Sequence, residues 1–145
     1  MKKVNVMLSG ILMFMSVGVF AQNTTDKLPA TAQEFISQHF SSATIKEVQE
    51  NSSWQIWEDE KYEVRFANGI EVDFDKNGNV LEIDGHKNVT IPVAALPSEI
   101  VSYLQSNYPD AKVVSWDKQD KGQEVELMDG TELEFDQDGS FLKID

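Results

Sequence analysis

The sequence predicts an α+β fold made of two like units, on three observations. The chain repeats itself, each copy opens with an apolar stripe of helical period, and each closes in residues that alternate at strand period. Leu28–Ile45 (LPATAQEFISQHFSSATI) aligns without gaps on Leu96–Val113 (LPSEIVSYLQSNYPDAKV), and Glu63–Asp84 (EVRFANGIEVDFDKNGNVLEID) on Glu124–Asp145 (EVELMDGTELEFDQDGSFLKID). Between these blocks the first copy is seven residues longer, around SSWQIWEDEK, and GHKNVTIPVAA joins the copies.

The helices come first. Ala32, Phe35, Ile36 and Phe40 in one copy, and Ile100, Tyr103, Leu104 and Tyr108 in the other, each place one apolar stripe along a helix. Pro29 and Pro97 stand where a helix start tolerates proline, Ser98 is the candidate N-cap, and Tyr108-Pro109 ends the second helix.

Strands follow. Tyr62, Val64, Phe66 and Ile70, Val72, Phe74 alternate with polar residues, as do Val125, Leu127 and Leu133, Phe135. Keeping apolar residues opposite one another makes Ala67-Asn68-Gly69 a three-residue loop, with Phe66 facing Ile70. The same parity pairs Phe74 with Leu81 and Val72 with Ile83 across a four-residue turn, Lys76–Asn79; in the second copy it pairs Phe135 with Leu142 and Leu133 with Ile144.

That turn lies in DFDKNGNVLEID, Asp73 to Asp84, which has the spacing of a calcium-binding loop except for Asp at its last position. An EF-hand needs a helix on each side of its loop, whereas these flanks alternate as strands. Asp75, Asn77 and Gly78 are therefore expected to turn the chain.

The other face of each unit is acidic. Glu63, Asp73 and Glu82 form one predicted row, with Arg65, Glu71 and Asp84 beside it; the second copy gives Glu124, Glu134, Lys143 and Glu126, Glu132, Asp145. Like charges set opposite one another weaken a sheet, so the face suits either a solvated surface or the docking of a cationic partner. Val80 and Phe141 fall by parity on this acidic face, and Trp54, Trp57 and Trp116 sit where alternation is unclear. Phe141 and the tryptophans join the carboxylates as candidate partner-binding residues. Glu63, Asp73 and Glu82 are also the candidate ligands of a divalent cation.

Composition narrows the classes of function. Residues 1–21, MKKVNVMLSGILMFMSVGVFA, have the basic start, apolar run and small final residues of a secretory signal cleaved after Ala21. The expected layout is then 22–27 as a flexible lead, 28–84 and 96–145 as the two units of one compact domain, and 85–95 as linker. Cleavage leaves 124 of the 145 residues and takes the charge from −13 to −15, because the segment holds two lysines and no acids. Nucleic acid and, after cleavage, a membrane are therefore excluded as partners. The absence of cysteine excludes disulfides, thiol catalysis and a lipid anchor on an N-terminal Cys. His39 and His86 have no nucleophile pattern around them, and no phosphate-binding glycine loop is present. No enzyme, no cofactor and a monomer are the expectations.

The repeated pattern, a Leu-Pro helix start, an aromatic helix face, then Asn/Asp-Gly-x-Glu-Val/Leu-Asp/Glu-Phe-Asp-x-Asn/Asp-Gly and a closing Ile-Asp, resembles the PepSY-like proteins exported by Bacteroidetes. The resemblance spans Leu28 to Asp145. It implies a fold similar to the β-lactamase inhibitory protein, with tandem helix-plus-four-strand units, one curved antiparallel sheet and helices on one face. It also implies a periplasmic setting and binding or inhibition of a protein such as a peptidase, without motif residues that transfer. The expected function is a noncatalytic periplasmic module that binds a protein or peptide of basic character; a calcium-binding module is the alternative.

Overall fold

The computed structural model describes residues 25–51, 60–86 and 89–145. The predicted signal segment, Trp54 and Trp57 lie outside the described residues. Helix α1 (Ala30–His39) is followed by β1 (Ile45–Glu50), β2 (Glu60–Phe66), β3 (Glu71–Asp75) and β4 (Val80–Asp84); after a 3-10 turn (Val93–Ala95) come α2 (Ser98–Asn107), β5 (Val113–Gln119), β6 (Gly122–Leu127), β7 (Glu132–Phe135) and β8 (Phe141–Ile144). All strands pair antiparallel in chain order, β1 to β8, in one curved sheet.

Both helices cover the same sheet face, because their stripes and the apolar phase of the strands form one core. Ala32, Ile36, Phe40, Ile100 and Leu104 are buried with Val64, Val72, Phe74, Val125, Leu133 and Phe135. Phe35 meets Phe74 edge-on at 5.8 Å and Tyr103 meets Phe135 in the same way at 5.4 Å. Pro97, and not Ser98, takes the N-cap position of α2; Ser98 is already helical and its Oγ donates to Glu99 Oε2.

The Phe66–Ile70 loop forms as the alternation predicts, closed by Phe66 N–H donating to Ile70 O. The next hairpin differs. Asp75 N–H donates to Asn79 O, so this turn also spans three residues, with Gly78 at φ +85°. A Cβ on Gly78 would stand 2.8 Å from Ala32 N, and one on Gly139 2.8 Å from Glu99 Cβ, so each glycine lets its turn press against the first turn of a helix.

The shorter turn sets Phe74 opposite Val80, and a bulge at Leu81 restores Val72 to Ile83. Likewise Phe135 faces Phe141, with the shift at Leu142, while Leu133 faces Ile144 as expected. Val80 and Phe141 are therefore on the helix side, where Phe141 stacks on Tyr103 at 4.6 Å. The placement of Phe141 among partner-facing residues is corrected accordingly. Trp116 needs the same correction. A bulge between Val113 and Ser115 turns it into the core, 2% exposed, with its Nε1 donating to the buried Gln123 at 3.0 Å.

Candidate functional site: an acidic row with a buried aspartate

The strand register builds the outer face directly. Glu63 stands opposite Asp73, Asp73 opposite Glu82, Glu82 opposite Asp117, Asp117 opposite Glu124, and Glu124 opposite Glu134, where Lys143 closes the row. The next row runs Glu47, Arg65, Glu71, Asp84, Ser115, Glu126 and Glu132, with Asp145 bonded to Glu132 through the backbone in both directions. The strands thus align the carboxylates read from the sequence.

Two members of the site were not legible there. Asp117 joins the rows of the two units, but the bulge before it breaks the alternation that would have exposed it. Glu60 stands at the start of β2, beside another shift in register, between Glu60 and Tyr62.

Asp73 is the most deeply buried acid in the row, 6% exposed, and its Oδ1 has no hydrogen-bond partner. Glu63 Oε1 also accepts no hydrogen bond, but it lies against the Arg65 guanidinium. Burial, and then the negative charges of Glu60, Glu71, Glu82 and Glu63, push the Asp73 carboxyl up to about 8. Burial, followed by Asp117, Glu60, Asp84 and Glu71, pushes Glu82 up to about 7. Glu63 and Glu124 are also raised, each by burial first and a neighbouring glutamate second.

One oxygen from each of Glu60, Asp73 and Glu82 lies within 4.8 Å of the others, and the same holds for Glu63, Glu71 and Asp73. Oxygens bound to one calcium ion at about 2.4 Å each are separated by no more than roughly 5 Å, so either set can be spanned by a single ion. A basic group sits in the second set. Arg65 Nε donates to Glu71 Oε2 at 2.9 Å, and its Nη2 lies against Glu63 Oε1, so the second set already holds a guanidinium.

The calcium-like loop itself has a structural task. Asp75 Oδ1 accepts from Asn77 N–H at 2.8 Å and Asn79 N–H at 2.9 Å, and Oδ2 accepts from Asn79 Nδ2. Partial burial opposes its charge, but these bonds outweigh it and hold the carboxyl below its usual range. The turn consumes both side-chain oxygens of Asp75, the third position of that loop.

The family model described as "Putative beta-lactamase-inhibitor-like, PepSY-like" matches residues 60–143. Among solved structures, a Bacteroides thetaiotaomicron protein described as a "putative calcium-regulated periplasmic protein" is 41% identical, with a TM-score of 0.72 over 84% of this chain and 93% of its own. Two Bacteroides vulgatus proteins described as periplasmic are each 35% identical, with TM-scores of 0.71 and 0.67 over 84% and 86% of this chain and 93% and 96% of theirs. No curated protein matches the chain. Among the described residues, no helix is long and apolar enough to cross a membrane.

Proposed function

Because the chain belongs to the PepSY-like, beta-lactamase-inhibitor-like family, we propose that it is a noncatalytic periplasmic binding module whose acidic sheet face takes up a divalent cation, calcium first, on Glu60, Asp73 and Glu82. The observation that carries this reading is Asp73 Oδ1, buried without a partner beside two further carboxylates. A buried carboxylate is costly unless a proton or a cation neutralises it. Calcium suits an all-oxygen set of three acids completed by water, a composition that matches the weaker extracellular class of sites, near 10⁻⁴–10⁻³ M. The calcium regulation ascribed to the Bacteroides thetaiotaomicron neighbour supports the same ion, as the periplasmic descriptions of all three neighbours support the compartment.

Thermal unfolding tests it. At 10 mM calcium, about ten to a hundred times such a Kd, binding only to the folded state stabilises it by about 1.4–2.7 kcal/mol. Millimolar calcium should raise Tm, a chelator should reverse the rise, and Asp73→Asn should lose the response. An unchanged Tm across the calcium series would refute the cation reading.

A second reading keeps the acidic face as a docking surface for a basic protein or peptide, with inhibition of an exported enzyme as its strongest form. The six-acid row from Glu63 to Glu134 favours it, since it continues past the cation set through Asp117 and Glu124. Phe141 and Trp116 have no part in that surface. Binding to a basic peptide should weaken steeply as salt rises; salt-independent binding would count against it.

A further inference from the structure

Asp73 belongs to both carboxylate sets. Along β3 the sets diverge. Glu60 pairs with Asp75 at the end of the strand and Arg65 with Glu71 at its beginning, while Glu63 and Glu82 flank Asp73 from the two neighbouring strands. The second set is bound by the protein itself. Arg65 donates from Nε to Glu71 Oε2, lies against Glu63 Oε1 through Nη2, and sends Nη1 toward Glu47 Oε2 at 3.4 Å. His86 Nε2 stands 3.8 Å from Glu71 Oε2, beyond hydrogen-bonding distance, while its Nδ1 is 3.0 Å from Asp84 Oδ2.

We propose that Arg65 is a tethered cation filling a second metal subsite, Glu63–Glu71–Asp73, which it masks so that the protein holds one divalent ion instead of an Asp73-bridged pair. Three physical points support this. A guanidinium cannot lose its charge by deprotonation in a protein, and its planar fork satisfies two carboxylates at once, so it competes with an ion at any pH. A carboxylate has two oxygens and about four lone-pair sites, so Asp73 can serve two ions. Its Oδ1 is buried without a partner, which separates this cluster from an ordinary solvated group of acids. Arg65 would thus determine stoichiometry without being a ligand. The first half of the inference, one ion in the wild type, rests on the cation reading above; the masked subsite does not.

Calcium titration by isothermal calorimetry on the mature chain separates the two. Wild type should bind one equivalent, Arg65→Met two, and Arg65→Met combined with Glu71→Gln one again. One equivalent in both wild type and Arg65→Met overturns the masked subsite and leaves the cation reading standing. None in wild type but one in Arg65→Met upholds the masked subsite and overturns the cation reading. Two in wild type, or none in either, overturns the inference. Circular dichroism establishes that each variant is folded. Should Arg65→Met not fold, Glu63→Gln and Glu60→Gln decide on the native background. With Arg65 in place, Glu63→Gln should leave one-ion affinity within a few-fold, and Glu60→Gln should weaken it by roughly tenfold or more, since ligand charge tunes such sites. Equal weakening by both would show that Arg65 does not keep the ion out of the second set.

Discussion

The two halves of the sheet present the same row of outward carboxylates and resolve its charge in different ways. In the second half Lys143 stands opposite Glu134, with Nζ 2.9 Å from Oε1. At the aligned position in the first half, Glu82 stands opposite Asp73. One half supplies a cation from its own chain, and the other places a third carboxylate where that cation would be. The fold accepts either choice, since helix, hairpins and core correspond across the halves. The cluster around Asp73 is therefore a property of a few side chains and not a requirement of the architecture. A cation bound there, as proposed above, would supply from solution what Lys143 supplies from the chain.

The comparison first requires that the halves be equivalent beneath the row. Phe74 and Phe135 are both fully buried and meet Phe35 and Tyr103 at interplanar angles of 81° and 85°. Phe74→Ala and Phe135→Ala should each cost about 3–5 kcal/mol, measured by urea unfolding. A gap much wider than that range would show that the cores differ and that the row cannot be compared alone.

Next in size is the pH dependence of the first half. The folded values of about 8 for Asp73 and about 7 for Glu82 lie above their ordinary values of 3.8 and 4.5. Between those limits the folded state binds more protons than the unfolded one. The stabilisation is fully present below the ordinary values and is lost as pH rises through the folded ones. In chelator, stability should fall from pH 4 toward pH 8 by on the order of 2–4 kcal/mol once solvent screening of these partly exposed groups is allowed for. Asp73→Asn should flatten much of that slope and, at pH 7, raise stability by about 1–3 kcal/mol, because the amide needs no proton. An unaltered slope in Asp73→Asn would remove Asp73 from the account.

How much of this could be read from residues alone depended on where the alternation held. In β2, β3 and most of β4 the period of two is clean, and it aligned Glu63, Asp73 and Glu82 correctly. The strand residues assigned to the wrong face all follow or adjoin a bulge. Val114 reverses the phase of β5, which concealed both the burial of Trp116 and the outward position of Asp117. Leu81 and Leu142 do the same for Val80 and Phe141. A bulge adds one residue without changing composition, so no count of polar and apolar positions reveals it. The burial of Asp73 was illegible for another reason. Alternation gives the face on which Asp73 lies and not the depth at which it sits there.

A smaller effect should follow from exchanging the side chains that separate the halves. Glu82→Lys gives the first half the arrangement of the second, with an ammonium opposite Asp73. Tm in chelator should rise by a few degrees, and the calcium-dependent shift should disappear, since the tethered charge now occupies the place of the ion. A calcium response that survives Glu82→Lys would mean that the ion binds elsewhere.

The reverse exchange should have the smallest effect, for a physical reason that tests the comparison most sharply. Lys143 is half-exposed and also pairs with Asp145, so its removal is softened by water and by salt. Glu134 is likewise partly exposed, unlike Asp73. Lys143→Glu should therefore lower Tm only slightly, with much of the loss recovered at high salt, and should create at most a weak calcium response. Acids in a row are not sufficient to make a cation site; the buried, unpartnered Asp73 oxygen is what distinguishes the first half. A calcium response in Lys143→Glu as strong as that of the wild-type protein would contradict this, because charge alone would then suffice.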